Sequence, residues 1–256
     1  MLPLRDENPT RRRAVVTLVL MALNIGIYFL VQPDVDDPAA GSFTYEYAAI
    51  PCEIVTNEPL SPEELPSQLN DFDTDSCNEV PESEPYFAEK SVWLAMLFSM
   101  FFHGGFLHLA GNMLFLWVFG NNIEDHLGIA KYIAFYLVGG VVATLAHVFI
   151  QPDSTIPLVG ASGAVAAVMG AYLVWFPNVR VHTLFFFFLI LYRDVRAKWL
   201  LLIWFGTQFL DYFNPNSGVA WMAHVGGFVF GIAIAALVRA SGGARRLAWT
   251  HDYDRY

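Results

Sequence analysis

Charged side chains are scarce in this chain of 256 residues: Asp, Glu, Lys and Arg together make up 15%, against about 25% in an ordinary soluble domain. Cations are the scarcer sign, with 14 Lys and Arg against 24 Asp and Glu and a net charge of −10. That balance excludes nucleic acid as a partner, since phosphates demand clustered Lys and Arg. Cysteine is nearly absent. Cys52 and Cys77 alone are too few for a disulfide scaffold or a cysteine-rich zinc site. No H-E-x-x-H run occurs, so neither a metal nor a cofactor is expected. What is abundant is apolar surface: 55% hydrophobic residues, with 22 Phe and 7 Trp, which excludes a disordered chain.

The apolar residues come in blocks. Ala14 to Val31 is a long apolar run behind Arg11-Arg12-Arg13, about the minimum that crosses a ~30 Å hydrocarbon layer. A secretory signal peptide is the competing reading. Its apolar region is usually only about 7–15 residues, and no small-x-small cleavage site closes this run. Residues 33–90 reverse the character, holding 15 of the 24 acids, one of the 14 bases (Lys90), 8 prolines and both cysteines. This composition predicts a solvated loop. Ser91–Phe102 is apolar but short, which suits a buried or interfacial helix. Further spans are predicted at Phe106–Ile123, Lys131–Ile150, Val159–Phe176, Trp199–Tyr212 and Val219–Val238. The Phe-rich stretch Val181–Tyr192 is too short to span and predicts a hydrophobic hairpin or an interfacial segment.

The expected fold class is therefore all-α, a polytopic membrane protein of six transmembrane helices. Its parts are a cytoplasmic N-terminus (1–13), a first helix (14–32), a long acidic extracytoplasmic loop (33–102), a core of five further helices (103–238) and a cytoplasmic tail (239–256). Thirteen of the 14 Lys and Arg residues then fall on the inner side, in keeping with the positive-inside bias. The plasma membrane is the expected location, with both termini cytoplasmic. In the exported loop a Cys52–Cys77 disulfide is chemically allowed, and two unbonded thiols remain the other reading.

Polar groups inside a membrane are costly, so each one needs a reason. His108 and Asn112 lie four apart on one face of the second span. Ser162 falls in the first turn of the fourth span, where unpaired N–H groups and the positive dipole end favour an anion. His224 enters the sixth span from the same side. Topology alone brings these residues to one depth. Ser162 is then a candidate nucleophile, His224 its general base, and His108, Asn112 and the Ser162 N–H candidate oxyanion donors. No acid is placed to complete a triad. Gly163 with Gly170, and Gly227 with Gly231, form small-residue faces that permit close helix packing. Gln208, in the fifth span, is expected to make a helix–helix hydrogen bond.

His108-x-x-x-Asn112, Gly160-Ala-Ser162-Gly163 and Ala223-His224-Val-Gly-Gly227-Phe-Val-Phe-Gly231 resemble, in order, the motifs of the rhomboid intramembrane serine proteases. Gly120-Asn-Asn-Ile-Glu124 resembles the motif that closes that family's second helix. The resemblance implies a rhomboid-like six-helix bundle with a Ser162–His224 dyad. It also implies cleavage of transmembrane protein substrates near the outer membrane face. It gives Glu124 the place of a structural carboxylate and His103 that of a second loop histidine with a structural role. The expected partners are transmembrane substrates and membrane lipid. The competing functions are a transporter with polar residues lining a pathway and a non-proteolytic binder of transmembrane helices.

Overall fold

The computed structural model describes residues 1–65, 77, 83–186, 190–213 and 219–241. Strand β1 (Leu2–Asp6) precedes helix α1 (Val15–Leu30). Helices α2 (Ala39–Tyr47), α3 (Pro51–Thr56) and α4 (Val92–Ser99) follow. The long helices α5 (Phe106–Leu127) and α6 (Ile129–Ile150) lead to α7 (Ser162–Trp175). Strands β2 (Arg180–Phe186) and β3 (Ile190–Arg196) then precede α8 (Ala197–Gln208) and α9 (Trp221–Ala240).

Helix α7 is the axis of the molecule. Small residues dominate it, it is buried almost throughout, and α5, α6, α8 and α9 pack around it. Glycines set the closest of these contacts. A Cβ on Gly227 would collide with the carbonyl oxygen of Gly163, and one on Gly231 with that of Ala167. A Cβ on Gly170 would meet the carbonyl of Phe228. The α7 and α9 backbones therefore touch directly, as close-packed membrane helices do. On the outside the surface is apolar: Leu107 is 84% exposed and Phe149 83%, with Val15, Leu18, Val19 and Leu23 exposed along α1. Among the described residues two helices, α6 (22 residues) and α9 (20 residues), are long and apolar enough to cross a membrane. α1 and α7 are shorter apolar helices.

Two junctions show how local chemistry sets the frame. Ala14, which precedes α1, offers no side-chain cap. Glu124 supplies one from α5, accepting the N–H of Val16 at 2.9 Å and both the N–H and the hydroxyl of Thr17 at 2.8 Å. A carboxylate on unpaired N–H groups at the positive end of a helix is doubly favourable. Gly128 joins α5 to α6 with φ of 78°, a left-handed conformation that glycine adopts without penalty.

The chain is not wholly helical. β1, β2 and β3 form a three-stranded antiparallel sheet, so Arg180–Phe186 and Ile190–Arg196 pair with each other and the first residues form a docked strand. Five residues with a proline, paired with the distant residues Val181–Leu184, leave no local signal for that strand. Ser91–Phe102 holds helix α4 as expected, but the expectation of a simple solvated loop for 33–90 is corrected. α2 and α3 fold there, and Cys52 is bonded to Cys77 with their Cα atoms 5.6 Å apart. Lys90 Nζ stands 2.6 Å from Glu53 Oε2 in a buried pair and also donates to the Tyr45 carbonyl. The acidic composition hid a small core, because Glu53 points inward. Most of the expected 239–256 tail lies outside the described residues.

Candidate active site

The site begins at the end of α4. Ser99 Oγ accepts the N–H of Ala49 at 2.6 Å, and its carbonyl accepts the N–H of Gly160 at 2.9 Å. Leu158 N–H donates to Ala49 O at 2.7 Å. These bonds stitch the loop before α7 to the end of α4 and to the link between α2 and α3. Gly160 has φ of +126°, which turns the chain into α7 so that Ser162 opens the helix. At 14 residues α7 is about 21 Å long against about 33 Å for α6. A helix this short cannot reach both ends of α6.

His224 lies one turn into α9. Its Nε2 is 2.8 Å from Ser162 Oγ, and its Nδ1 is 2.6 Å from Gln208 Oε1 on α8. Gln208 does make an interhelical bond, as expected. That its partner is His224 was not visible in the sequence, since nothing local links the last turn of α8 to the first of α9.

His108 approaches from α5. Its Nδ1 accepts the N–H of Gly104 at 3.4 Å, so the neutral ring carries its proton on Nε2. That edge faces Gly160: a Cβ there would stand 2.8 Å from His108 Nε2 and 3.4 Å from Ser162 Oγ. Asn112, one turn further along, donates its amide to the His108 carbonyl at 3.1 Å. One of its two amide hydrogens thus braces the His108 backbone. His103 is fully buried, with its ring edge-on to His108 at 5.2 Å. Its backbone is held by Gln32, which accepts its N–H at 3.0 Å and donates to its carbonyl at 2.6 Å. A Cβ on Gly163 would be 2.6 Å from that of Ala143, so this glycine sets the α6–α7 approach. Glu124 and the Cys52–Cys77 bridge lie away from the serine.

Residues 90–241 match the family model of the rhomboid domain, more than half of the chain. The chain belongs to the rhomboid family. Among curated relatives, this rhomboid is 34% identical over 96 residues to presenilin-associated rhomboid-like protein A, mitochondrial, of Danio rerio. That match covers 37% of this chain and 25% of the relative. It is 30% identical over 152 residues to presenilin-associated rhomboid-like protein, mitochondrial, of Bos taurus, covering 57% and 38% of the two chains. Rhomboid protein 1, mitochondrial, of Saccharomyces cerevisiae is 30% identical over 92 residues, covering 34% and 27%. The chain thus spans about a quarter to two-fifths of the relatives' lengths. These names overturn the expected plasma-membrane location with cytoplasmic termini, because the relatives are mitochondrial. Positive-inside counting orders the two faces of a membrane and carries no information on which membrane it is.

Proposed function

We propose that this rhomboid is an intramembrane serine endopeptidase that cleaves transmembrane protein substrates within a bundle of six crossings: α1, α5, α6, α7, α8 and α9. The observation that carries the reading is the 2.8 Å approach of His224 Nε2 to Ser162 Oγ, from two helices whose glycines let their backbones touch.

The chemistry follows from the atoms present. Ser162 Oγ attacks the scissile carbonyl as His224 Nε2 takes its proton, and the imidazolium returns it to the leaving amine. The negative oxygen of the tetrahedral intermediate meets the Nε2–H of His108 and the N–H of Ser162, which has no helical acceptor in the first turn of α7. Asn112 acts through His108, whose carbonyl it holds. Water then hydrolyses the acyl-enzyme, with His224 again the base. Cleavage falls near the membrane face that carries α2, α3 and α4, because the chain entering α7 at Ser162 is bonded to Ser99 and Ala49 there.

A panel of transmembrane substrates, offered to the wild type and to Ser162→Ala, tests the reading. Cleavage by the wild type, its loss in the variant and labelling of Ser162 by a fluorophosphonate are expected. Undiminished cleavage by Ser162→Ala would remove the serine from the mechanism.

A further inference from the structure

We propose that Gln208 is a third member of the site, a positioning residue that fixes the tautomer of His224; this rests on the Ser162–His224 reading above. Gln208 is the last residue of α8 and is buried. Its Nε2 donates to the Trp204 carbonyl at 2.9 Å and to Thr207 Oγ1 at 3.3 Å. The Thr207 hydroxyl donates its own proton to the same Trp204 carbonyl at 2.6 Å, which leaves its lone pairs free to accept. Both amide hydrogens of Gln208 are therefore engaged within α8. Rotating the amide by half a turn would set Oε1 against the Trp204 carbonyl, acceptor against acceptor. Chemistry thus decides which atom faces His224, and it is the oxygen.

An amide oxygen only accepts. The imidazole nitrogen 2.6 Å from it, Nδ1, must then carry the ring's proton. A neutral imidazole has one N–H, so the lone pair is left on Nε2, the atom facing Ser162 Oγ. Without the Gln208 oxygen the two tautomers compete, and the one protonated on Nε2 cannot act as the base. Among the described residues no carboxylate contacts His224. An amide performs the orienting part of an acid's role in a triad without placing an ionised group in apolar surroundings, where an unpaired charge is expensive.

Histidine-15N NMR of the wild-type protein in lipid nanodiscs tests the tautomer directly, with His224→Ala assigning the resonance. A His224 ring protonated on Nδ1 is expected, and a predominantly Nε2-protonated ring overturns the proposal. In turnover, Gln208→Leu should lower kcat about 10- to 100-fold, as loss of one buried hydrogen bond does, while KM changes less than about twofold. The same spectrum of Gln208→Leu should show the Nε2-protonated tautomer of His224 gaining population, because the acceptor opposite Nδ1 is gone. A Leu variant as fast as wild type, or one whose His224 tautomer is unchanged, refutes the role. Cleavage that persists in Ser162→Ala would defeat the protease reading alone, since the NMR result judges Gln208 without any turnover.

Discussion

A Cβ on Gly160 would stand 2.8 Å from the ring of His108, so these two residues meet where only a glycine fits. The backbone there has φ of +126°, a conformation that costs an L side chain about 1–3 kcal/mol. Gly160→Ala is therefore expected to displace His108 and to distort the entry to α7. We expect at least a tenfold loss of kcat, about 1.4 kcal/mol of transition-state stabilisation, together with slower fluorophosphonate labelling of Ser162. Labelling and turnover at the wild-type rates would show that the His108 ring does not act at this position.

The α7–α9 contact makes a second, sharper demand. Gly231→Leu drives a side chain into the Ala167 carbonyl, and the helices must separate to accept it. His224 lies on the same helix, so the 2.8 Å approach to Ser162 opens with it. Overpacking of this kind costs about 1–3 kcal/mol or more, and both thermal stability and cleavage should fall. Gly206 is the control, because a Cβ there meets nothing within 4 Å. Gly206→Ala should leave cleavage intact and add up to about 1 kcal/mol of helix propensity. Equal behaviour of the two variants in a melting assay would contradict the packing argument.

The contrast between these glycines bears on what the sequence could reveal. Ser162, His224 and the small-residue faces were legible because they combine a residue type that membranes penalise with a fixed place on an apolar helix. Gly160 was found by motif, but its effect on the fold was not. The predicted span Val159–Phe176 begins three residues early because hydropathy cannot see a positive φ that delays the helix to Ser162. Gln208 escaped as a site residue because its partner is defined only by how α8 and α9 meet. The folded part of 33–102 escaped for a different reason. Short helices such as α3, at six residues, carry too little periodicity, and a buried Glu53 looks the same in sequence as a solvated one.

That buried acid gives a third prediction. Glu53 and Lys90 are 2.6 Å apart with side chains 2% and 1% exposed, and Glu53 Oε1 also accepts the N–H of Leu60. Removing one partner of such a pair leaves an uncompensated charge at a cost of about 3–5 kcal/mol. Lys90→Met should therefore loosen the segment around α2 and α3, seen as rapid proteolysis there and a lower melting temperature. Pairing it with Glu53→Gln should recover most of the loss, because the neutral amide keeps an acceptor for Leu60. No recovery in the double variant would mean that the lysine acts chiefly through its bond to the Tyr45 carbonyl.

The docked strand β1 should respond to pH through Asp6. Its carboxylate accepts from Tyr172 on α7 and from Asn122 on α5, the latter at 2.7 Å, and so ties the first residues to the end of the bundle remote from Ser162. Burial outweighs those bonds and raises its pKa from 3.8 to about 6. A carboxyl raised in the folded state binds its proton more tightly there than in the unfolded chain. Its contribution is then fully present below about pH 4 and is lost as pH rises through about 6. A shift of this size corresponds to about 3 kcal/mol. Asp6→Asn keeps an acceptor oxygen for both partners and has no charge to lose. The stability difference between wild type and variant should thus change steadily in favour of the variant from pH 4 to pH 7. Hydrogen exchange of the β1 amides, measured on both proteins across that range, would follow it. Parallel pH profiles for the two proteins would mean that another group governs the docking of the strand.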